Sequence, residues 1–319
     1  MMIIYRKNKE RSCGANPNPE SPVPSPLIIV IIIMFLITSC TRQNNQHDGI
    51  VIAVSIPPQA WFVSQIAGEK AHALVLVPPG QNPHNYEPSP RQIQGLVSAN
   101  AWILSGSEFE IGLLPKISSL FPNLQIVDGT SGVKFRLMED HDCDSQETHD
   151  HHHETSLTSY DRHTWLGREP AKILAVHIKD TLSKSDNQNA VYYRENCENL
   201  IRMIDEVFDE LKIKLLPLKG KNVFVYHPSF GYFLDEFGMY QEAVETGGKE
   251  PTPRELNNLI FKLKNDNAAA IFVQSQFPTS AARSLAASTG IKLIALDPLA
   301  QDWLTNIKLM GQTLQNIIQ

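Results

Sequence analysis

The chain has 319 residues, of which 42% are hydrophobic, and 34 acidic against 28 basic side chains give a formal net charge of -6. This balance gives no reason to expect nucleic acid as a partner, because proteins that bind it usually carry a basic face. Only four cysteines occur, with no paired C-x-x-C spacing, so a disulfide framework is excluded as the main source of stability. The length suits two domains of ordinary size.

The first 39 residues have the pattern of an export signal. A basic start between Arg6 and Arg11 precedes an unbroken apolar run from Leu27 to Ile37. That run is shorter than the ~20 residues that a membrane-spanning helix needs. It ends at Thr38-Ser39-Cys40, which resembles the bacterial lipoprotein box and makes Cys40 the predicted site of lipid attachment. An uncleaved N-terminal anchor is the alternative, and both interpretations place the rest of the chain outside the cytoplasm.

In the first half of the mature chain, β-forming runs alternate with helical patterns, which predicts a parallel sheet built from βαβ units. The predicted strands are 50–55, 73–77, 101–105 and 124–127. Between the second and third of them, Ser89-Pro90-Arg91-Gln92 forms a capping box with proline at the first helical position. This box predicts a helix that runs towards Asn100.

Residues 139–154 read EDHDCDSQETHDHHHE and contain almost no apolar side chain. Such a tract cannot contribute to a core, so it predicts a mobile loop. Its possible metal ligands are His141, Cys143, His149, His151, His152 and His153. So many metal ligands in a short polar segment predict weak, exchangeable zinc sites, whereas the alternative is a solvated acidic loop with incidental histidines.

The middle of the chain has no β pattern. Apolar residues such as Leu200, Ile204, Val207 and Leu211 recur there at helical spacing. A break at 184–189 divides the pattern into two helices, the second much longer than the usual ~11–12 residues. A long helix between two α/β lobes would act as a stiff strut. The predicted organisation is a signal at 1–39, an N-terminal lobe at 40–168, linking helices at 169–218 and a C-terminal lobe at 219–319.

The second half of the mature chain repeats the alternation of β-forming runs and helical patterns. Its predicted strands are 222–226, 268–273 and 292–296, and Thr252-Pro253-Arg254-Glu255 is a second proline-led capping box that opens a helix towards Lys264. The pattern as a whole predicts an α/β fold with mainly parallel sheets in two lobes.

Three candidate metal ligands sit beside proline shortly after predicted strands: His84, His227 and Asp297. In open α/β sheets, ligands bind outside the carboxyl ends of the strands, so these side chains are expected to gather there. His163, in another turn-like stretch, is the fourth candidate. Imidazole and carboxylate are ligands that borderline divalent cations accept. For Asp297, the alternative role is a turn or helix cap, because aspartate readily bonds nearby backbone amides.

Four segments carry a resemblance to a known family: 80–90 (GQNPHNYEPSP), 226–233 (YHPSFGYF), 247–253 (GGKEPTP) and 296–299 (LDPL). They resemble the motifs of zinc and manganese solute-binding proteins of metal ABC transporters, and the match spans nearly the whole mature chain. The resemblance implies two α/β lobes joined by a single long helix, with one metal in the cleft between them. It assigns His84 and His163 to the first lobe, and His227 and Asp297 to the second, as ligands.

The chain departs from the family pattern at two places. Asp161-Arg162-His163-Thr164-Trp165 lacks the proline that usually precedes this histidine, and Gln274-Ser275-Gln276-Phe277 stands where many relatives have Glu-Pro-Gln-Phe. Both departures concern the local backbone and the polarity of the cleft.

A ligand set of three imidazoles and one carboxylate favours Zn²⁺, since Mn²⁺ prefers more oxygen donors. Manganese members of the family also tend to have glutamate where this chain has His227. The resemblance therefore implies a monomeric lipoprotein, and not an enzyme, that captures zinc and delivers it to an ABC transporter permease. The alternatives are a manganese- or iron-binding member, a surface adhesin, and a zinc-dependent hydrolase. The sequence contains no H-E-x-x-H motif and no nucleophile elbow that would favour the hydrolase.

Overall fold

The structure, a computed structural model, describes residues 49–138, 160–245 and 248–318. The predicted signal, Cys40 and the predicted metal-collecting segment 139–154 lie outside the described residues. Among the helices that are described, none combines the length and the apolar character needed to cross a membrane.

Eight parallel strands form two four-stranded sheets within the described ranges. The first sheet contains β1 (Ile50–Val54), β2 (Ala71–Val75), β3 (Ala101–Leu104) and β4 (Gln125–Asp128); the second contains β5 (Asn222–Val225), β6 (Tyr240–Ala243), β7 (Ala270–Val273) and β8 (Lys292–Ala295). Their orders, β2-β1-β3-β4 and β6-β5-β7-β8, are the same in the two lobes. In each sheet the chain reverses its direction of progress beside the first strand, and ligand sites form outside the carboxyl ends of strands at such a point.

Nine α-helices surround and connect the sheets in the described part of the chain. They are α1 (Pro57–Ala67), α2 (Pro90–Gly95), α3 (Glu108–Leu120), α4 (Arg168–Ser185), α5 (Ala190–Lys214), α6 (Gly231–Glu236), α7 (Pro253–Asn265), α8 (Ser280–Thr289) and α9 (Trp303–Ile318). The predicted fold class, two α/β lobes with parallel sheets and one long helix, is confirmed.

Both proline-led capping boxes begin helices as predicted. The Ser89 hydroxyl accepts a hydrogen bond from the backbone N–H of Gln92, and Thr252 accepts one from Glu255. The first of these helices is shorter than expected, because α2 ends at Gly95 and a 3-10 turn follows it. A helix interior disfavours glycine, which has more backbone freedom to lose there.

The long helix α5 has 25 residues, which corresponds to about 38 Å at the usual rise per residue. Its apolar face, including Tyr193 and Phe208, is buried in a core cluster that also contains Ile52 of β1 and Val225 of β5. One hydrophobic core therefore includes side chains from both sheets.

A tryptophan pair connects the end of the chain to the first lobe. The Trp165 indole N–H donates to the Pro298 carbonyl at 2.8 Å, and the Trp303 indole N–H donates to the Trp165 carbonyl at 2.7 Å. The ring of Trp303 also lies edge-on to Phe62 of α1, with centroids 5.1 Å apart. Helix α9, which begins at Trp303, thus packs against the first lobe as well as the second.

The close packing of α9 on α5 leads to a stability prediction. A Cβ atom added at Gly311 of α9 would overlap the buried side chain of Leu211 of α5, whereas one added at Gly112 of α3 would meet nothing within 4 Å. We expect Gly311→Ala to lower the free energy of unfolding by about 1–2 kcal/mol through overpacking. The control Gly112→Ala should raise it by roughly 0.5–1 kcal/mol, since alanine loses less backbone entropy in a helix. Urea denaturation of the metal-free protein measures both, and equal stabilisation by the two changes would contradict the close approach of the helices.

Candidate metal centre

His84 lies beyond the carboxyl end of β2, after a tight turn. Gly80 in that turn has φ +80°, a backbone conformation that favours glycine over residues with a Cβ. The backbone N–H of His84 donates to Asn82 Oδ1 at 2.9 Å, and its ring Nδ1 lies 2.8 Å from Glu108 Oε2. Glu108 is the first residue of α3, so the sheet and the helix start together fix the orientation of this imidazole.

His227 lies beyond the carboxyl end of β5 and is 4% exposed. Gln274, which directly follows β7, makes two hydrogen bonds to the backbone of His227. The His227 N–H donates to Gln274 Oε1 at 3.2 Å, and Gln274 Nε2 donates to the His227 carbonyl at 2.8 Å. The ring Nδ1 lies 2.6 Å from Glu245 Oε1, and the ring stacks on Phe277 with centroids 4.1 Å apart. Backbone, ring edge and ring face of His227 are therefore all fixed.

His163 is 3% exposed and directly precedes the 3-10 turn Thr164–Leu166. One carboxylate oxygen, Asp161 Oδ1, lies 2.9 Å from the backbone nitrogen of His163 and 2.8 Å from its ring Nδ1. The missing proline in this motif therefore leaves a well-defined local arrangement, because the aspartate side chain closes the turn on its own.

The three imidazoles meet through their Nε2 atoms. His84 Nε2 lies 2.9 Å from His227 Nε2, which lies 3.2 Å from His163 Nε2. One nitrogen of each ring falls in a group whose members all lie within 4.8 Å of one another. Two nitrogens that bind a tetrahedral zinc ion at ~2.0–2.1 Å are about 3.3 Å apart, so the spacing fits a shared divalent ion.

The carboxylate beside each ring Nδ1 determines which nitrogen of the imidazole is available to bind a metal. A neutral imidazole that donates Nδ1–H to Glu108, Asp161 or Glu245 keeps its lone pair on Nε2. Metal-binding histidines are commonly oriented and made more basic by such a carboxylate partner. The three lone pairs therefore point at one another, an arrangement that a cation stabilises.

The three carboxylates differ in protonation. Burial opposes the ionisation of Glu108 and Asp161. It is outweighed by hydrogen bonding and charge, from His84 at Glu108 and from His163 at Asp161, so the pKa of each carboxylate lies below its ordinary value. For Glu245, burial dominates and raises the pKa to about 7. Burial, with the neighbouring histidines adding to it, lowers the pKa of His227 well below its ordinary value. At neutral pH, the imidazole of His227 is thus neutral.

Asp297, the fourth predicted ligand, is not in this group of three. Its Oδ1 accepts hydrogen bonds from Gln276 Nε2 at 2.8 Å and from the backbone N–H of Leu299 at 2.9 Å. The bond to Leu299 is the turn-forming role that the sequence offered as its alternative. The structure thus brings together three of the four candidates from the described residues, and both positions beyond strands β2 and β5 are among them.

A cavity of about 700 Å³ opens over His84 and His227 and is lined by residues of both lobes. Its walls include Gly80, Glu108, Met138, Glu245, Gln276 and Phe277. This volume is much larger than one ion, so a metal that enters it can keep part of its hydration shell until it reaches the nitrogens.

The sequence did not identify the carboxylates that support the histidines: Glu108, Asp161 and Glu245. The role of Asp161 could have been predicted from the sequence, since an aspartate two residues before a candidate ligand can accept a hydrogen bond from the backbone amide of that ligand. Glu245 follows the carboxyl end of β6, a strand that was not predicted, so the rule that identified His227 applies to it as well.

A family model described as zinc-uptake complex component A, periplasmic (ZnuA), matches residues 52–319. The high-affinity zinc uptake system protein ZnuA of Yersinia pestis is 28% identical over 266 residues, which cover 78% of this chain and 82% of that protein. The zinc-binding lipoprotein AdcA of Streptococcus pneumoniae is 24% identical over 268 residues, which cover 83% of this chain and 53% of that protein.

Solved structures agree with these sequence matches. A crystal structure of ZnuA has a TM-score of 0.78 and 33% sequence identity, and the match covers 85% of this chain and all of that one, 100%. Family model, sequence and fold therefore lead to the same assignment. The chain belongs to the periplasmic zinc-uptake component A family, solute-binding proteins that work outside the cytoplasm with the permease of a zinc-type metal ABC transporter.

Proposed function

We propose that this protein captures one Zn²⁺ ion through the Nε2 atoms of His84, His163 and His227 and delivers it to an ABC transporter permease. The observation that supports this proposal is the convergence of three lone pairs, each fixed by a carboxylate on the opposite ring nitrogen. A set of three nitrogen donors suits zinc better than manganese, whose preferred ligands are oxygens.

Asp297 joins the ligand set through its second oxygen, Oδ2, because Oδ1 already accepts hydrogen bonds from Gln276 and Leu299. Because this carboxylate lies outside the group of nitrogens that already converge, we expect Asp297→Ala to weaken zinc binding less than loss of any one of the three histidines. Competition with a chelator of known affinity measures the four variants side by side. If Asp297→Ala lowered the zinc affinity as much as His84→Ala does, the aspartate would be a full fourth ligand.

Calorimetric titration of the chelator-stripped protein tests the proposal as a whole. We expect one tight zinc ion per chain and weaker binding of manganese at the same site. Tighter binding of manganese than of zinc would move the protein to the manganese-binding members of the family. Absence of any tight divalent ion would reject metal capture.

Residues 139–154 are proposed to hold additional, weak zinc ions through His141, Cys143, His149, His151, His152 and His153. Imidazole and thiolate groups in a polar segment with little apolar content can bind metal without a packed core. We expect weak sites in the same titration that disappear when 139–154 is deleted, while the tight site stays. If deletion leaves the weak sites in place, the segment has no part in zinc binding.

The proposed location is the outer face of a membrane, with residues 1–39 as the signal and Cys40 as the lipid-bearing first residue of a monomer. Support comes from the Ser39-Cys40 pattern after an apolar run and from the lipoprotein among the relatives. The proposed bounds are 40–168 and 219–319 for the lobes and 169–218 for the helices between them. Replacing Cys40 with serine should release the protein from membranes without changing its zinc affinity.

A zinc hydrolase is the second candidate, because three protein nitrogens leave one coordination position open, as in catalytic zinc sites. We infer that the chain is a carrier and not an enzyme, since Glu108, Asp161 and Glu245 orient its histidines. The other carboxylate that lines the cavity, Glu250, accepts a hydrogen bond from the Ser280 hydroxyl. Ester and peptide substrates incubated with the zinc-loaded protein test this. Zinc-dependent turnover that is lost in His227→Ala would establish the hydrolase.

A further inference from the structure

Two short segments meet on either side of residues 139–159. Leu137 pairs with Tyr160 in an antiparallel bridge, and the backbone N–H of Asp161 donates to the Arg136 carbonyl at 3.0 Å. We call these paired segments, 136–138 and 160–161, the neck. The ligand His163 lies only two residues beyond it, so the position of the neck affects the position of the ligand.

Arg136 connects the neck to the second lobe. Its Nη1 donates to Asp161 Oδ2 at 2.9 Å, and its Nε donates to Asp235 Oδ2 of α6 at 2.9 Å. Its backbone N–H donates to Tyr232 Oη at 3.1 Å, and the Tyr232 hydroxyl donates to the Asp161 carbonyl at 3.0 Å. Helix α6 thus contacts both segments of the neck.

Asp161 transmits this contact to the metal ligand. The carboxylate is fully buried and divides its oxygens: Oδ1 faces the backbone and ring of His163, whereas Oδ2 accepts from Arg136. Without the guanidinium, a buried anionic oxygen would lose a charged donor, and such a loss is costly. The carboxylate would then turn towards other donors, and the ring of His163 would turn with it.

The second lobe has space for this guanidinium because Gly231 has no side chain. A Cβ atom there would overlap Nη1 of Arg136 and crowd Asp161 Oδ2. Gly231 is not among the glycines with positive φ, so close approach, and not an unusual backbone angle, accounts for a glycine at the start of α6. The start of α6 therefore has space for the Arg136 guanidinium only because glycine occupies position 231.

We propose that Arg136 is a positioning residue for metal capture: it holds Asp161 against α6 so that Nε2 of His163 points at those of His84 and His227. Alignment of the ligand set then depends on how the second lobe packs on the neck. This inference rests on the proposed function, since it assumes that the three histidines bind the metal.

Arg136→Gln is the main test, with Arg168→Gln as the matched control. Arg168 is similarly exposed, 18% against 13% for Arg136, and pairs with three carboxylates, Asp205, Asp209 and Glu236 of α6. It thus also contacts α6, but it lies outside the histidine group. Loss of a partner behind a metal ligand typically weakens metal binding by ~10–100-fold, so we expect that rise in the zinc dissociation constant for Arg136→Gln. Arg168→Gln should stay within about twofold, because partly exposed ion pairs contribute little.

A second measurement uses the metal-free protein and separates positioning from general damage. The Nδ1–H protons of the three histidines are followed by NMR and assigned with His→Ala variants. In Arg136→Gln the signal of His163 should shift or broaden, while those of His84 and His227 stay. Arg136→Lys, which keeps the charge but not the two-armed geometry, should restore part of the affinity.

The outcomes divide clearly. Wild-type affinity and an unchanged His163 signal in Arg136→Gln would overturn the proposal, as would equal weakening by Arg168→Gln. If Arg136→Gln does not fold, Gly231→Ala decides by the same two criteria, since it displaces the guanidinium but keeps every ligand. If the wild-type protein binds no zinc tightly, the proposed function fails, and the NMR comparison alone decides whether Arg136 positions His163.

Discussion

Replacing His227 with alanine is expected to abolish tight zinc binding. Its Nε2 atom is the one that contacts both other rings, at 2.9 Å to His84 and 3.2 Å to His163, so its loss leaves two nitrogens without their common neighbour. Loss of a partner behind a ligand already costs ~10–100-fold in affinity, and loss of the ligand itself should cost more than about 100-fold. Competition against a chelator, at fixed pH and ionic strength, measures the change.

His177→Ala is the control for that experiment. This histidine lies on α4, and its Nε2 contacts the Ser131 carbonyl at 2.8 Å instead of joining the histidine group. Its removal should leave zinc affinity within about twofold, because it touches neither a ligand nor its carboxylate. Zinc affinity of His227→Ala within tenfold of the unchanged protein would mean that the metal binds elsewhere.

Zinc affinity is also expected to fall steeply below neutral pH because of Glu245. In the metal-free protein its pKa is raised to about 7 by burial, so it is largely protonated at pH 5. A cation on His227 favours the ionised carboxylate behind the ring, so binding at low pH must release this proton. Well below pH 7 each pH unit then costs about tenfold for this group alone, and the loss between pH 7 and pH 5 is roughly 50-fold, because the group is already half protonated at pH 7. Above pH 7 this contribution levels off.

Glu245→Gln should remove that part of the pH dependence, with lower affinity at pH 8 as its cost, while Glu108→Gln should leave the slope unchanged. Glu108 has a pKa below its ordinary value because His84 outweighs its burial, so it stays ionised across this range. Calorimetry in buffers of different ionisation enthalpy counts the released protons. Equal proton release below pH 7 by wild type and Glu245→Gln would exclude Glu245 as the source.

The strands that could be predicted were those with apolar, β-branched runs, and two of them end shortly before the candidate ligands His84 and His227. Asn222–Val225 is such a run, and the residue that follows its end by two positions is His227. The strand β6, with sequence YQEA, lacks this pattern because Gln241 and Glu242 are polar yet buried. Their partners are tertiary, such as the Phe230 N–H that donates to Gln241, and no local pattern reveals them. Glu245 was missed with the strand.

One further difference between prediction and structure has a local cause. Helix α3 contains Pro115 in its interior, a residue that normally ends a helix, so neither the helix nor its first residue Glu108 was expected. Asp297 was predicted as a ligand from its position after a strand and from the family resemblance, and this stays a prediction, since its Oδ1 bonds Leu299 and Gln276. Position after a strand thus identified a side chain near the site without determining what it would bond.

The apolar core cluster shared by both sheets has a practical consequence for engineering. Trp303 and Phe62 are fully buried where the end of the chain meets α1, so separating the halves would expose large aromatic surfaces to water. Neither half is therefore suited to being cut out and recombined as a split reporter. A fluorescent zinc sensor built on this scaffold should place one environment-sensitive dye at the rim of the pocket, because two dyes on opposite halves would change their separation too little to give a useful signal.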